Sequence, residues 1–231
     1  MKLRLLAVAM ATLGIGAALA QDITSEKGKT SYAVGYDLGR SLSERKIDID
    51  QATLYRAIQD GMARKNPALP AKQMAQVLQA MQQRLLAQAK SDFDKASADN
   101  KASSNWFMAK NQARAYVKTL PNGIQYRVIE EGNGAMPRPD GQVRIMYKAS
   151  ISTGQVFATS YGGDGVPAQA SVVSISASPL PGIKQILPMM KQGAHWEIVL
   201  PPDQAYGSGP DSPIGPNQAV MFDIKVVEVL K

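Results

Sequence analysis

Apolar residues recur at helical spacing from Ser25 to about Lys118 and alternate with polar ones from Ile124 onward, so the chain changes period near its middle. Tyr32, Gly35, Tyr36, Gly39 and Leu42 fall near one face of a first predicted helix, about residues 26–45. Gly35 and Gly39, four apart, allow close approach of another helix. A second helix is predicted from Gln51 to about Arg64, with Asp50 as N-cap, Leu54, Ile58 and Met62 on one side, and Asn66-Pro67 as its stop. Pro70 suits the first turn of a third, which carries Met74, Val77, Leu78, Met81, Leu85 and Leu86 as a stripe. That stripe thins after Ala87 to alanines, Phe93, Trp106 and Phe107, yet no proline interrupts it, so one helix is predicted over 71–116. Its second half has too few large apolar residues to bury itself, which suggests a stalk between two bodies.

Beyond Leu120-Pro121-Asn122-Gly123 the period is two. Ile124, Tyr126 and Val128 alternate with polar neighbours, as do Val143, Ile145 and Tyr147. Ser152-Thr153-Gly154-Gln155 reads as a hairpin loop before Val156-Phe157, and Gly162 to Pro167 as a flexible loop. A short strand is predicted over Ser171 to Ile175 and a short helix over Leu180 to Met190. Two more strands run from Trp196 to Leu200 and from Ala219 to Leu230. The expected fold is α+β: an N-terminal all-α dimerisation domain with a long stalk helix, then a twisted antiparallel sheet wrapped on a short helix. The expected boundaries are 1–20, 21–70 for the helical region, 71–118 for the connecting helix and 119–231 for the sheet domain. Two short helices plus half a long one make a thin core, so pairing of two copies through the N-terminal helices is the economical solution.

Residues 1–20 stand apart. Lys2 and Arg4 precede an apolar run from Leu5 to Leu19, with Ala18-Leu19-Ala20 at the cleavage positions, which is the pattern of a secretory signal peptide. Export to the periplasm is therefore expected. The cysteine count of zero excludes disulfides, thiolate catalysis and lipid attachment at the cleavage site. One histidine, His195, and no clustered carboxylates make a metal site unexpected, and His195 reads as a surface residue. No cofactor is expected. The formal charge of +7 is carried by the first half, where 16 basic residues face 10 acidic ones between Gln21 and Lys118. The charges are interspersed, so a solvated helical surface accounts for them and nucleic acid is not an expected partner.

The remaining chemistry lies between Trp196 and Phe222. Two apolar strands flank Pro201-Pro202-Asp203-Gln204-Ala205-Tyr206-Gly207 and a Gly/Pro-rich loop ending in Ile214-Gly215-Pro216-Asn217. A tyrosine on such a loop is either a site residue or a corner tyrosine tying the loop to the backbone.

These motifs, with Leu120-Pro-Asn-Gly-Ile-Gln-Tyr126, Gly154 before Val156-Phe157, and Leu180-Pro-Gly182, resemble the FKBP-type peptidyl-prolyl cis-trans isomerases. Together with Ser31 to Gly39 and the N-terminal leader, the chain resembles the exported macrophage infectivity potentiator (Mip) subgroup along its length. The resemblance implies isomerisation of X-Pro bonds in unfolded or proline-containing polypeptides, a homodimer, and possible outer-membrane association. It implies Tyr206, Tyr147 and Phe157 as catalytic residues, the Tyr206 hydroxyl holding a substrate carbonyl, and Leu180, Ile183, Ile214 and Phe222 as substrate-binding residues.

The chain departs from the family's pattern at four places. Ala158 stands where an aspartate usually follows the phenylalanine, and Ile183 where a tryptophan usually forms the pocket floor. Ala149 replaces a glycine, and Ala168 an aromatic wall. Trp196 matches a tryptophan of an outer strand and is not a substitute for the floor. Weakened catalysis and poor macrolide binding are expected; the alternative is a catalytically inactive periplasmic chaperone or binding module that keeps the fold.

Overall fold

The computed structural model describes residues 23–163 and 167–230, so the predicted signal peptide and the centre of the Gly162–Pro167 loop lie outside the described residues. The chain divides into two compact units, one ending at Leu85 and the other beginning at Leu86.

The first unit is helical. Helix α1 spans Glu26–Glu44, its N-terminus capped by the Ser25 hydroxyl, which accepts from the Gly28 amide at 3.0 Å. Helix α2 spans Gln51–Met62, and the Asp50 carboxylate accepts from the Thr53 amide at 2.8 Å, the cap its sequence predicts. Helix α3, Ala71–Gln112, begins in this unit. None of the described residues from 23 to 85 is buried, and Tyr32, Tyr36, Tyr55, Ile58, Val77 and Leu78 are exposed.

The second unit holds a seven-stranded antiparallel sheet. Its strands are β1 (Lys118–Thr119), β2 (Gln125–Glu130), β3 (Gln142–Ile151), β4 (Val156–Thr159), β5 (Ser171–Ser174), β6 (His195–Leu200) and β7 (Val220–Leu230). Their order is β1-β2-β6-β7-β3-β4, with β5 also paired to β3. One face closes on helix α4 (Pro181–Ile186) and the turn of 3-10 helix after it, burying Ile186, Leu187 and Met190 against Ile198, Leu200, Ile224 and Val226. The single helix expected over Leu180 to Met190 is thus split. Pro188 lacks the N–H that an α-helix interior requires, and the chain tightens there.

Helix α3 ends at Gln112, earlier than the expected Tyr116: the Arg114 amide donates to the Asn111 carbonyl at 3.0 Å in a tighter turn, and Tyr116 then takes a left-handed backbone with φ 65°. Its second half lies in this unit and is held by polar side chains. Ser104 is 1% exposed and Asn111 5% exposed. Asn111 donates to Gln125 at 2.9 Å, and Gln125 donates in turn to the Met108 carbonyl at 3.0 Å. A hydrophobic count misses such a seam, since polar groups that bury one another in satisfied pairs leave no apolar stripe.

Candidate functional site

The sheet and α4 line an open cavity of about 450 Å³. Strand β3 supplies Ile145, Tyr147 and Ala149, alternate residues that share one face. Strand β4 supplies both Phe157 and Ala158, which is possible because the register slips: Ala149 pairs with Ala158 and Ser150 with Val156, leaving Phe157 as the extra residue of a bulge. A bulge re-aims the side chain it carries, and here it brings the phenylalanine to the cavity. Phe222 and Ile224 come from β7, with Phe222 directly across from Ala149.

Leu180, the residue before α4, and Ile183 within it line the cavity. The helix sits this close because residue 182 is glycine: a Cβ there would lie 2.4 Å from Leu200 Cδ2 and 3.0 Å from the Gln204 carbonyl oxygen. Tyr206 enters from the loop after β6. The Gly207 amide donates to the Pro202 carbonyl at 2.8 Å and the Asn217 amide to the Gly207 carbonyl at 3.0 Å, closing that loop into a ring. The Tyr206 ring meets Phe157 edge-on, centroids 6.1 Å apart and planes at 75°.

Six of the seven residues singled out from sequence therefore face one cavity: Tyr147, Phe157, Leu180, Ile183, Tyr206 and Phe222. The seventh, Ile214, packs half-buried against the core and does not line it. Ala168 is exposed and does not line it either. Trp196 also lies away from the cavity, but β6 is an interior strand, between β2 and β7, and not an outer one. The indole is buried and stacked on Tyr126 at 4.9 Å. His195 is likewise not a free surface residue, since its Nε2 lies 3.0 Å from the Asp223 carboxylate.

Sequence reasoning missed the contribution of β5 and the turn after it, where Ser171 to Ser174, Ala177, Ser178 and Pro179 complete the wall. No residue type in that run signals a site; only its pairing with Ile145 of β3 carries it there.

Among the described residues, no charged side chain lines the cavity. Burial pushes the Tyr206 phenol above its ordinary pKa, and neighbouring Tyr147 adds to the effect. Its hydroxyl stays protonated at neutral pH and, among the described residues, has no hydrogen-bond partner. The corner-tyrosine alternative requires such a bond to the backbone. Among the described residues the arrangement offers an apolar hollow walled by four aromatic rings, with unengaged phenol O–H donors on Tyr206 and Tyr147, and no nucleophile beside a base.

Two family models match the chain. One is described as the domain amino-terminal to FKBP-type peptidyl-prolyl isomerase and covers residues 27–128; the other, FKBP-type peptidyl-prolyl cis-trans isomerase, covers residues 134–227. The outer membrane protein MIP of Legionella longbeachae is 34% identical over 236 residues, spanning 100% of this chain and 99% of that protein. The peptidyl-prolyl cis-trans isomerase Mip of Coxiella burnetii is 32% identical over 95% of this chain and 94% of its own length. The crystal structure of FkpA from Escherichia coli superposes with a TM-score of 0.67 at 30% identity, covering 89% of this chain and 97% of that one.

Proposed function

The chain belongs to the FKBP-type peptidyl-prolyl cis-trans isomerases, in the kind that includes Mip and FkpA, and from that premise we propose that its cavity binds X-Pro segments of unfolded polypeptides and turns them slowly. The X-Pro bond resists rotation by about 18–20 kcal/mol because the amide is resonance-stabilised in its planar forms. An apolar hollow that removes water from the imide, with one donor on a substrate carbonyl, favours the twisted geometry over the planar one. The observation that carries the reading is the convergence of Phe157, Tyr206, Phe222 and Tyr147 on one cavity, with the Tyr206 hydroxyl unengaged.

Two lining residues set the rate in this reading. Ala158 puts a methyl where the family's aspartate would polarise the site, and Ile183 floors the hollow with an aliphatic chain that has no N–H. The deciding experiment is a proline-turnover assay on the full chain, on Ala158→Asp and Ile183→Trp singly, and on the pair. Slow turnover that rises in the pair is expected. Wild-type turnover at the family's ordinary rate would overturn the weak-catalyst reading; no turnover in any variant, with client aggregation still suppressed, would favour a catalytically silent chaperone.

The same reading makes the protein a periplasmic homodimer. Export rests on the Lys2 to Ala20 pattern. Dimerisation rests on the first unit, whose exposed tyrosines and aliphatic residues need a cover that a second copy supplies. Sedimentation of the mature chain with and without residues 21–70 tests it.

A further inference from the structure

Strand β5 borders the cavity and has only one neighbour: among the described residues it pairs with β3 alone. Which of its backbone groups face outward follows from the register. The Ile175 amide donates to the Gly141 carbonyl at 3.0 Å, so residues 141 and 175 are a hydrogen-bonded pair of the antiparallel ladder. Alternation then turns the N–H and C=O of Val173 and Ser171 toward β3, and those of Val172 and Ser174 away from it. Consistent with that phase, the Val229 amide on the far side of Val143 donates to Gln192 at 3.1 Å and leaves Val143 to β5.

Val172 and Ser174 are thus part of the cavity wall through an edge whose donors and acceptors have no partner among the described residues. Native sheets blunt free edges with lysine, proline or inward charge. The run Ser171-Val172-Val173-Ser174 has none of these, and the Val172 side chain, 52% exposed, adds an apolar outer surface.

We propose that β5 is a docking edge for the substrate chain: a client lies alongside Val172 and Ser174 as an added antiparallel or parallel strand while its prolyl ring occupies the cavity. The proposal rests on the isomerase reading of that cavity and adds a substrate class to it. Proline has no N–H, so the residues that pair with Val172 and Ser174 must be non-proline and extended, spaced two apart. The preferred substrates are single prolines within β-prone stretches of unfolded chain; proline-rich runs, which cannot donate, are poor ones.

The test uses the full chain and a peptide of about twelve residues, long enough to span both cavity and edge, with one Ala-Pro bond amid valine and threonine. Saturating peptide is expected to slow amide exchange at Val172 and Ser174 at least about tenfold, with Val173, already bonded to β3, unchanged. N-methylation of the peptide along its length is expected to weaken binding about tenfold at alternate positions only. Val172→Pro removes one outward donor at an edge position that tolerates proline, and is expected to lower affinity by a similar factor with its melting transition preserved. Unchanged exchange at both amides under saturation, or a flat N-methyl series, overturns the proposal. The cis-trans exchange of the unmodified peptide, followed in the same samples, tests the isomerase reading by itself: slowed amides without catalysis would leave the docking edge standing and remove the catalyst.

Discussion

The Ser104 hydroxyl donates to the Asn217 carbonyl at 2.8 Å and accepts from the Ala219 amide at 2.7 Å, fastening α3 to the end of the loop that carries Tyr206. Asn217 has a left-handed backbone, φ 57°, and its side chain donates to the Ser97 hydroxyl at 2.7 Å; Asn100 donates to the Pro216 carbonyl at 2.9 Å. The loop that presents the candidate donor is therefore set by the helix as well as by the sheet.

Ser104→Ala leaves one partly buried carbonyl and one buried amide without that partner. The expected cost is about 1–3 kcal/mol, read as a shift of the urea midpoint with unchanged slope. A midpoint within error of wild type would show that water replaces the hydroxyl and that the seam is not what holds the loop.

Gly182→Ala tests the approach of α4 to β6. The added methyl would meet Leu200 and the fixed Gln204 carbonyl, so α4 must shift, at a cost of about 1–3 kcal/mol. Because Ile183 rides on that helix and Leu180 directly precedes it, binding of a proline peptide is expected to weaken as well. Thermal melting and peptide titration on the same variant measure both effects.

These two sites also show what the sequence carries and what it conceals. The helical half, the change of period and the strands were legible because each follows from spacing of apolar residues, and Asp50 could be named as a cap from its side chain alone. The aromatic members of the cavity were legible through motif resemblance. The bulge at Phe157, the edge at Val172 and the polar seam at Ser104 were not, because each depends on which residue stands opposite another across strands or across the helix–sheet seam. Ile214 shows the converse: its motif matched, but its side chain packs against the core beside the cavity.

Glu197 on β6 gives a pH prediction. Its carboxylate accepts from Arg127 at 2.8 and 3.1 Å and from Arg114 at 3.1 Å. The Arg127 hydrogen bonds hold its pKa below the ordinary value; burial opposes them, and the Arg114 and Arg127 charges assist. A depressed folded pKa means the carboxylate contributes stability above the unfolded value, about 4.3, and loses it as pH falls through the folded value. Glu197→Gln should thus be less stable than wild type at pH 7, and the gap should close on acidification below about pH 4. Urea midpoints at several pH values measure it; a gap independent of pH would mean packing, and not charge, is what the substitution removes.

The proposed role of Tyr206 as a carbonyl donor makes two demands that a packing role does not. Tyr206→Phe keeps the ring against Phe157 and removes only the O–H, so it should lower kcat/KM by about tenfold while the melting temperature stays within a degree or two of wild type, since the hydroxyl has no protein partner to lose among the described residues. Burial and Tyr147 raise the phenol above its ordinary pKa of about 10, so the donor should persist and the alkaline limb of the rate should appear only above that value. A limb well below pH 10 would place the ionising group elsewhere. If Tyr206→Phe turns proline over as fast as wild type, the hydroxyl does not hold the substrate carbonyl and the cavity acts through its walls alone.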